Sequence, residues 1–129
     1  MTDQKKTILL VEDEAPVVMV MKNALEKEGY EVITGQDGFE GLRLALEKHP
    51  DLILTDLLMA RMGGMDMIRE IRKDEWGKKA EIIILTNVAD VKTLDEAMSQ
   101  GAFNYIVKGD SSMESVVAKV NAHLKGPKT

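Results

Sequence analysis

Four short apolar runs in this chain each stop at a polar residue, and this repeated pattern constrains the fold more than any other feature. The runs are ILLV, LILT, IIIL and YIV, and the residues that close them are Glu12–Asp13, Asp56, Thr86 and Lys108. Runs so rich in Ile, Leu and Val are typical of strands buried on both faces of a parallel sheet. In such a sheet all four polar ends would lie along one edge.

Helical segments alternate with these strands. The patterns predict strands near residues 7–11, 31–34, 51–55, 81–85 and 103–107, and helices near 15–28, 38–48, 64–73, 90–99 and 112–124. Strand alternating with helix implies right-handed βαβ units and a parallel sheet covered on both sides. We therefore expect an α/β, doubly wound, three-layer fold whose ligand site lies at the carboxyl ends of the strands.

The bulk composition narrows the class of protein. A length of 129 residues fits one domain, 1–129, with a core over about 6–125. A net charge of −5 disfavours direct nucleic-acid binding, which needs a basic face. No apolar stretch is long enough for a bilayer, and no signal peptide is evident, so we expect no membrane partner. The lack of cysteine excludes disulfides and is compatible with the cytoplasmic location that we expect.

The polar strand ends predict a metal and phosphoryl site. Two carboxylates about 4 Å apart repel by roughly 4 kcal/mol at an effective dielectric near 20, so Glu12, Asp13 and Asp56 would need a cation beside them. Lys108 offsets part of this charge, and a hard cation that prefers oxygen ligands, Mg²⁺, offsets more. Asp56 could then attack phosphorus as a nucleophile, with Lys108 and Thr86 stabilising the phosphoryl oxygens.

The sequence resembles a known family along nearly its whole length. The stretches ILLVEDE, LILTDLLMARMGGMDMIREIR, IIILTN and AMSQGAFNYIVK are similar to the motifs of the response-regulator receiver domain of two-component signalling, including the chemotaxis regulators. The resemblance implies a flavodoxin-like five-stranded sheet of order 2-1-3-4-5. It also implies a magnesium-dependent switch in a phosphorelay.

The resemblance assigns roles to the residues of the cluster. Asp56 would be the phosphorylated residue. Asp13, with Glu12 partly through water, would hold Mg²⁺ together with Asp56 and the backbone carbonyl of Leu58. Lys108 would contact the phosphoryl group. Apart from catalysing its own phosphorylation and dephosphorylation, such a protein is not an enzyme.

The same resemblance implies a switch and two kinds of partner. Thr86 would move toward the phosphoryl group and Tyr105 would change rotamer behind it. The fourth helix, fifth strand and fifth helix would report the change to a downstream protein target. Phosphoryl groups would come from a histidine kinase or a phosphotransfer protein.

The first helix carries more apolar residues than one buried face requires. A helical wheel places the following residues on its core side: Val17, Val20, Met21, Ala24 and Leu25. Met19 points roughly opposite and Val18 lies on the flank. Either these two form a docking patch for the kinase or phosphotransfer protein, or they are ordinary scattered surface residues.

Three departures from the family pattern carry expectations of their own. Gly109 replaces a common proline, so we expect a trans peptide or a mobile loop after Lys108. Ala60 replaces another proline, which predicts a more flexible loop after Asp56. Leu58 and Val88 are apolar where the family tunes hydrolysis, which predicts slow loss of the phosphoryl group.

Two other classes of function stay open at this point. A receiver fold can act as a protein-interaction module without phosphorylation, and the two lost prolines favour that alternative. A metal-dependent phosphatase or a flavodoxin-like cofactor protein fits less well, because no glycine-rich phosphate loop follows the first strand. The intact set of Asp13, Asp56, Thr86 and Lys108 favours the phosphorylated switch.

Overall fold

A computed structural model describes residues 5–59, 61–86, 91–99, 101–102, 104–107 and 112–125. Within them strands and helices alternate: β1 (Thr7–Val11), α1 (Ala15–Lys27), β2 (Glu31–Gly35), α2 (Gly38–Lys48), β3 (Leu52–Thr55), α3 (Gly64–Ile71), β4 (Ile82–Thr86), α4 (Val91–Ser99), β5 (Asn104–Val107) and α5 (Met113–Lys125). The five strands form a parallel sheet of order β2-β1-β3-β4-β5. The predicted architecture and strand order are confirmed.

The element boundaries agree with the sequence patterns to within one or two residues. A short 3-10 helix at Gly77–Lys79 was not predicted. The turn after α1 depends on Gly29, whose φ of 96° lies in the left-handed region that glycine adopts without a steric penalty. Among the described residues, none of the helices combines the length and the apolarity that a bilayer crossing requires.

Both faces of the sheet are buried. Ile8 and Leu10 point to the layer that holds α1 and α5, while Leu9 and Val11 point to the layer of α2 and α3. This alternation follows from the two-residue period of a strand. It explains why the central strands are continuously apolar, because a polar side chain on either face would be buried without water.

The core-facing stripe of α1 differs from the helical-wheel prediction. Val18, Met21 and Leu25 face the sheet, whereas Val20 is 54% exposed. The prediction that Val20 belongs to the core is therefore wrong, and Val18 packs against the core rather than lying free on the flank. Met19 is 65% exposed, as predicted. A helix that packs on a sheet buries only a narrow stripe of its surface. Where several consecutive residues are apolar, the sequence does not show which of them lies at the centre of the buried stripe.

The last two helices illustrate the same limit. On α5 the apolar residues recur at helical spacing and pack against the core, with Val116 and Val120 buried. On α4 Ala97 and Met98 are both apolar neighbours in the sequence, yet Ala97 is buried and Met98 is exposed. A single residue at the border of a helical stripe is therefore poorly determined by spacing alone.

Candidate functional site

The carboxyl edge of the sheet brings the ends of β1 and β3 together. Val11 pairs with Thr55 in the parallel register, so the residues that follow them begin at the same level. The backbone ladder continues past both strands, because Asp56 N donates to Val11 O at 3.1 Å and Glu12 N donates to Gly35 O at 3.0 Å. The backbone of both acidic residues is thus fixed by the sheet itself.

Four carboxylates meet at this edge. Glu12, Asp13, Glu14 and Asp56 each offer an oxygen, and these oxygens all lie within 4.8 Å of one another. Glu12 and Asp56 are buried, while Asp13 and Glu14 are exposed. The predicted meeting of Glu12, Asp13 and Asp56 is observed. Glu14 was missed, although it is the third acidic residue in an unbroken run after β1.

Backbone amides orient two of these carboxylates. Asp56 Oδ1 accepts from Leu57 N at 2.7 Å and from Leu58 N at 3.3 Å. Glu12 Oε2 accepts from Glu14 N at 3.2 Å. Hydrogen bonds of this kind fix the direction of the carboxylate oxygens. The backbone of Leu58 thus contacts Asp56, whereas the side chain of Leu58 is exposed.

The oxygen cluster fits the magnesium ion that the family implies. Adjacent and opposite ligands of an octahedral Mg²⁺ with bonds of about 2.1 Å lie about 3.0–4.2 Å apart, and the carboxylate oxygens here lie within 4.8 Å of one another. Among the described residues the cluster holds carboxylates alone, which suits a hard cation better than zinc. Glu12, Asp13 and Asp56 could therefore hold the ion, with Glu14 at the rim.

A glycine allows the chain after β3 to turn sharply beneath the site. Gly64 N donates to Leu57 O at 3.0 Å. A Cβ at Gly64 would lie 2.2 Å from the carbonyl oxygen of Asp56. Any other residue here would push α3 away from the end of β3. The pair of glycines in the sequence therefore sets a close backbone approach at this point.

The remaining predicted site residues are only partly described. Thr86 ends β4 and pairs with Val107, which places its backbone at the same edge of the sheet. Its side chain and the whole of Lys108 lie outside the described residues. Tyr105, the predicted rotamer switch, is 38% exposed on β5. The expectations at Ala60, Val88 and Gly109 also fall outside the described part of the chain.

A groove of about 760 Å³ opens from the acidic cluster along α1. The predicted docking residues Val18 and Met19 line it, as do Asp13 and Arg61. The two docking residues therefore border the site, although only Met19 presents most of its surface to solvent. Their docking role stays a prediction.

Comparisons with known proteins agree with this geometry. The sequence model of the response regulator receiver domain family matches residues 8–121. A probable transcriptional regulator, ycf27, from Porphyridium aerugineum is 36% identical over 122 residues, which are 95% of this chain and 49% of that protein. The chain thus spans about half the length of the curated relatives it matches.

Solved structures show the same fold. The chemotaxis response regulator CheY4 of Vibrio cholerae superposes with a TM-score of 0.86 at 26% identity, covering 93% of this chain and 99% of that one. A response regulator receiver domain protein from Clostridium thermocellum gives 0.82 at 33% identity, covering 93% and 94%. The chain belongs to the response regulator receiver domain family of two-component signalling.

Proposed function

We propose that the protein is a phosphorylation-activated switch that accepts a phosphoryl group on Asp56 from a histidine kinase or phosphotransfer protein. The observation that carries this proposal is the meeting of buried Asp56 with three further carboxylates at the carboxyl edge. Keeping like charges together reduces the stability of a fold unless a cation or a reaction uses them. A site with no such use would gain stability by losing them.

The proposed chemistry is a displacement at phosphorus. An Asp56 carboxylate oxygen forms a bond to phosphorus as the bond from phosphorus to the donor histidine nitrogen breaks, and the imidazole leaves with that electron pair. The amides of Leu57 and Leu58 hold Asp56 in one orientation for this attack. Bound Mg²⁺ would neutralise charge on the phosphoryl oxygens. Lys108 and Thr86 would contact the same oxygens.

The output would be a shift between two conformations of one domain. Phosphorylation would favour the state in which Thr86 and Tyr105 have moved, and the surface of α4, β5 and α5 would carry the change to a downstream protein. We expect this to occur in the cytoplasm without direct nucleic-acid or membrane contact. We also expect no enzymatic activity beyond self-phosphorylation and self-dephosphorylation.

Intact-mass measurement after incubation with acetyl phosphate tests the proposal. The wild type should gain the mass of one phosphoryl group when Mg²⁺ is present and far less when it is chelated. Asp56→Asn should gain none under either condition, while keeping the wild-type circular dichroism spectrum. An unmodified wild type with Mg²⁺ present would reject the switch and favour the phosphorylation-independent interaction module.

The docking role proposed for α1 must be tested with a variant that leaves the core packing intact. Because Val18 packs against the core, its replacement by lysine would disturb the fold. Met19→Lys alone should slow phosphoryl transfer from a histidine phosphotransfer protein without slowing transfer from acetyl phosphate. Leu46→Lys, at an exposed apolar residue of α2, is the matched control. Equal slowing with both donors would reject the docking role of Met19.

A further inference from the structure

An ion pair joins the loop after β3 to the loop after β2. Arg61 Nε donates to Asp37 Oδ2 at 2.8 Å, and a second guanidinium nitrogen lies 2.6 Å from the same oxygen. The guanidinium carbon also lies 5.7 Å from the centre of the Phe39 ring. Arg61 therefore makes a forked contact and a cation–π contact at once, which a lysine could not reproduce.

The backbones of the two loops are in contact at the same place. Gly38 N donates to Met62 O at 2.8 Å. A Cβ at Gly38 would lie 2.4 Å from that oxygen, so only glycine permits the approach. We call Asp37, Phe39, Arg61 and the Gly38–Met62 bond the loop clasp. It couples residues that are far apart in sequence through both side chains and backbone.

Arg61 adopts a backbone conformation that its residue type disfavours. Its φ is 66°, in the left-handed region, which costs about 1–2 kcal/mol for a residue with a Cβ. Such a conformation persists only where the surroundings determine it. Because the side chain of Arg61 is largely exposed, steric confinement does not impose the conformation. The contacts with Asp37 and Phe39 do.

Asp37 is itself held firmly. Its Oδ1 accepts from Glu40 N at 2.9 Å and so caps α2. The hydrogen bond from the Glu40 backbone, assisted by Arg61, holds the pKa of the Asp37 carboxyl below its usual value. Asp37 is buried apart from 8% of its surface. The clasp thus attaches the exposed side chain of Arg61 to the capped N-terminus of α2.

The loop that the clasp holds carries the groups that orient Asp56. The amides of Leu57 and Leu58 donate to Asp56, and Leu57 O accepts from Gly64 N. Arg61 lies between these two fixed points in sequence. Release of Arg61 would let its backbone return to negative φ and displace the loop, and with it the amide and carbonyl groups of Leu58.

We propose that Arg61 is a positioning residue, which holds the loop after β3 through Asp37 and Phe39 so that the backbone of Leu58 and the carboxylate of Asp56 are preorganised for Mg²⁺ and the phosphoryl group. This inference rests on the proposed function. It concerns residues that touch neither the ion nor the donor. Loss of an outer partner that orients metal ligands typically weakens metal binding about 10–100-fold.

Titration calorimetry with Mg²⁺ and amide hydrogen exchange test the inference. Arg61→Ala should weaken Mg²⁺ binding about tenfold, the low end of the range for outer partners. It should also speed exchange at the amides of Leu57, Leu58 and Gly64, with or without Mg²⁺. Arg61→Lys should recover part of both effects, because it keeps the charge and loses the fork.

Two further variants separate the clasp from general effects of lost charge. Asp37→Asn keeps an oxygen that can cap α2 but removes the ion pair, and adding Arg61→Ala to it should have little further effect. Arg43→Ala removes an exposed ion pair with Glu47 on α2 and should leave Mg²⁺ affinity and exchange unchanged. A tenfold loss that appears equally in Arg43→Ala would reject the clasp.

The outcomes also distinguish this inference from the proposed function. A wild type that neither binds Mg²⁺ nor takes up a phosphoryl group would reject the proposed function, while the exchange measurement would still test whether Arg61 holds the loop. A wild type that does both, with Arg61→Ala unchanged in affinity, acetyl phosphate rate and exchange, would overturn the positioning role alone.

Discussion

The two edges of the β-sheet are built from opposite electrostatic arrangements. At the carboxyl edge, Glu12, Asp13, Glu14 and Asp56 bring like charges within 4.8 Å of one another. At the amino edge, Arg72 donates to three carbonyl oxygens, two in the 3-10 turn before β4 and one in the loop before β5. Two of these bonds, to Gly77 O and Ala80 O, measure 2.7 Å each, and the third is to Gly101 O.

Other polar groups at the amino edge also form hydrogen bonds in which a donor meets an acceptor. Tyr30 Oη donates to Asn121 Oδ1 at 2.5 Å, and Asn121 Nδ2 donates to Glu28 Oε1 at 2.9 Å. Thr7 N donates to Asp51 Oδ2 at 2.7 Å. The first two bonds join the start of β2 to the end of α1 and to α5, and the third joins the start of β1 to the residue before β3.

The difference between the edges indicates a division of roles. Complementary partners at the amino edge stabilise the fold, whereas we expect like charges at the carboxyl edge to oppose folding in the absence of a bound cation. A protein is expected to break a local rule of stability where function requires it. Changes at the amino edge should therefore alter stability alone. Neutralising a carboxylate at the carboxyl edge should raise stability and weaken ligand binding.

The largest losses of stability are expected from adding a Cβ at two glycines that lie in close contact with another backbone segment, one at each edge of the sheet. A Cβ at Gly77 would lie 1.8 Å from Ile71 O, and one at Gly64 would lie 2.2 Å from Asp56 O. Overpacking against rigid backbone costs up to about 3 kcal/mol, so both alanine variants should show a strongly reduced urea midpoint. Only Gly64→Ala should also reduce phosphoryl uptake per folded molecule.

Gly29→Ala is the control for this pair. Its added Cβ would meet nothing, although its φ of 96° makes alanine unfavourable. It should therefore cost about 1 kcal/mol through backbone conformation alone. Equal losses in all three variants would show that the close approaches are not the cause.

Removing Arg72 tests the amino edge directly. Arg72→Ala removes the guanidinium donor from three carbonyl groups, of which Gly77 O keeps a bond from Ala80 N. Hydrogen bonds to a charged group contribute about 2 kcal/mol. Burial lowers the pKa of the Arg72 guanidinium, yet the group stays charged. We expect the free energy of unfolding to fall by about 2 kcal/mol. Mg²⁺ affinity and the rate with acetyl phosphate should stay at the wild-type values.

Arg69→Ala is the matched control for Arg72→Ala, since Arg69 lies on α3 and pairs only with exposed Asp66 in the described part of the chain. An exposed ion pair contributes little, so its loss should be below about 0.5 kcal/mol. A reduced Mg²⁺ affinity in Arg72→Ala would break the division of roles between the two edges.

Neutralising one exposed acid should have opposite effects with and without Mg²⁺. Asp13→Asn removes like-charge repulsion and should raise the free energy of unfolding by about 1 kcal/mol in chelator, a value reduced by solvent screening. With Mg²⁺ in excess the wild type should be the more stable protein, because it binds the ion more tightly. Thermal melts in chelator and in excess Mg²⁺ measure whether the order of stability of wild type and Asp13→Asn reverses. Asp66→Asn on α3 is the control.

The smallest effect is expected from the hydroxyl of Tyr30. Tyr30→Phe should reduce the free energy of unfolding at pH 7 by about 1 kcal/mol or less, the net contribution of one hydrogen bond. Burial, with the charge of Glu28, raises the pKa of the Tyr30 hydroxyl above its usual value. A raised folded-state pKa gives stability that is fully present below about pH 10 and is lost as the pH rises through the folded value.

Melting temperatures from pH 8 to 11 therefore test the same residue. The wild type should lose its advantage over Tyr30→Phe only at the alkaline end of this range. A constant difference between wild type and Tyr30→Phe across the range would contradict the role of the buried hydroxyl.

Local patterns in the sequence determined the strands, the helices and part of the site. The strands ILLV and LILT are read correctly because burial on both faces leaves only apolar residues. Their polar ends, Glu12 and Asp56, follow from the same runs. Helix boundaries follow from nearby glycine and proline residues. All of these signals act over a few residues, which is the range that a pattern can report.

Only the tertiary structure decided which distant groups meet. Nothing in the spacing shows that Arg61 would pair with Asp37, or that Arg72 would reach Gly101, because both contacts join segments that lie far apart in the sequence. The exposure of Val20 depended in the same way on where α1 rests on the sheet. Periodicity fixes a residue's direction on its own element, whereas the partner it meets depends on how whole elements pack against one another.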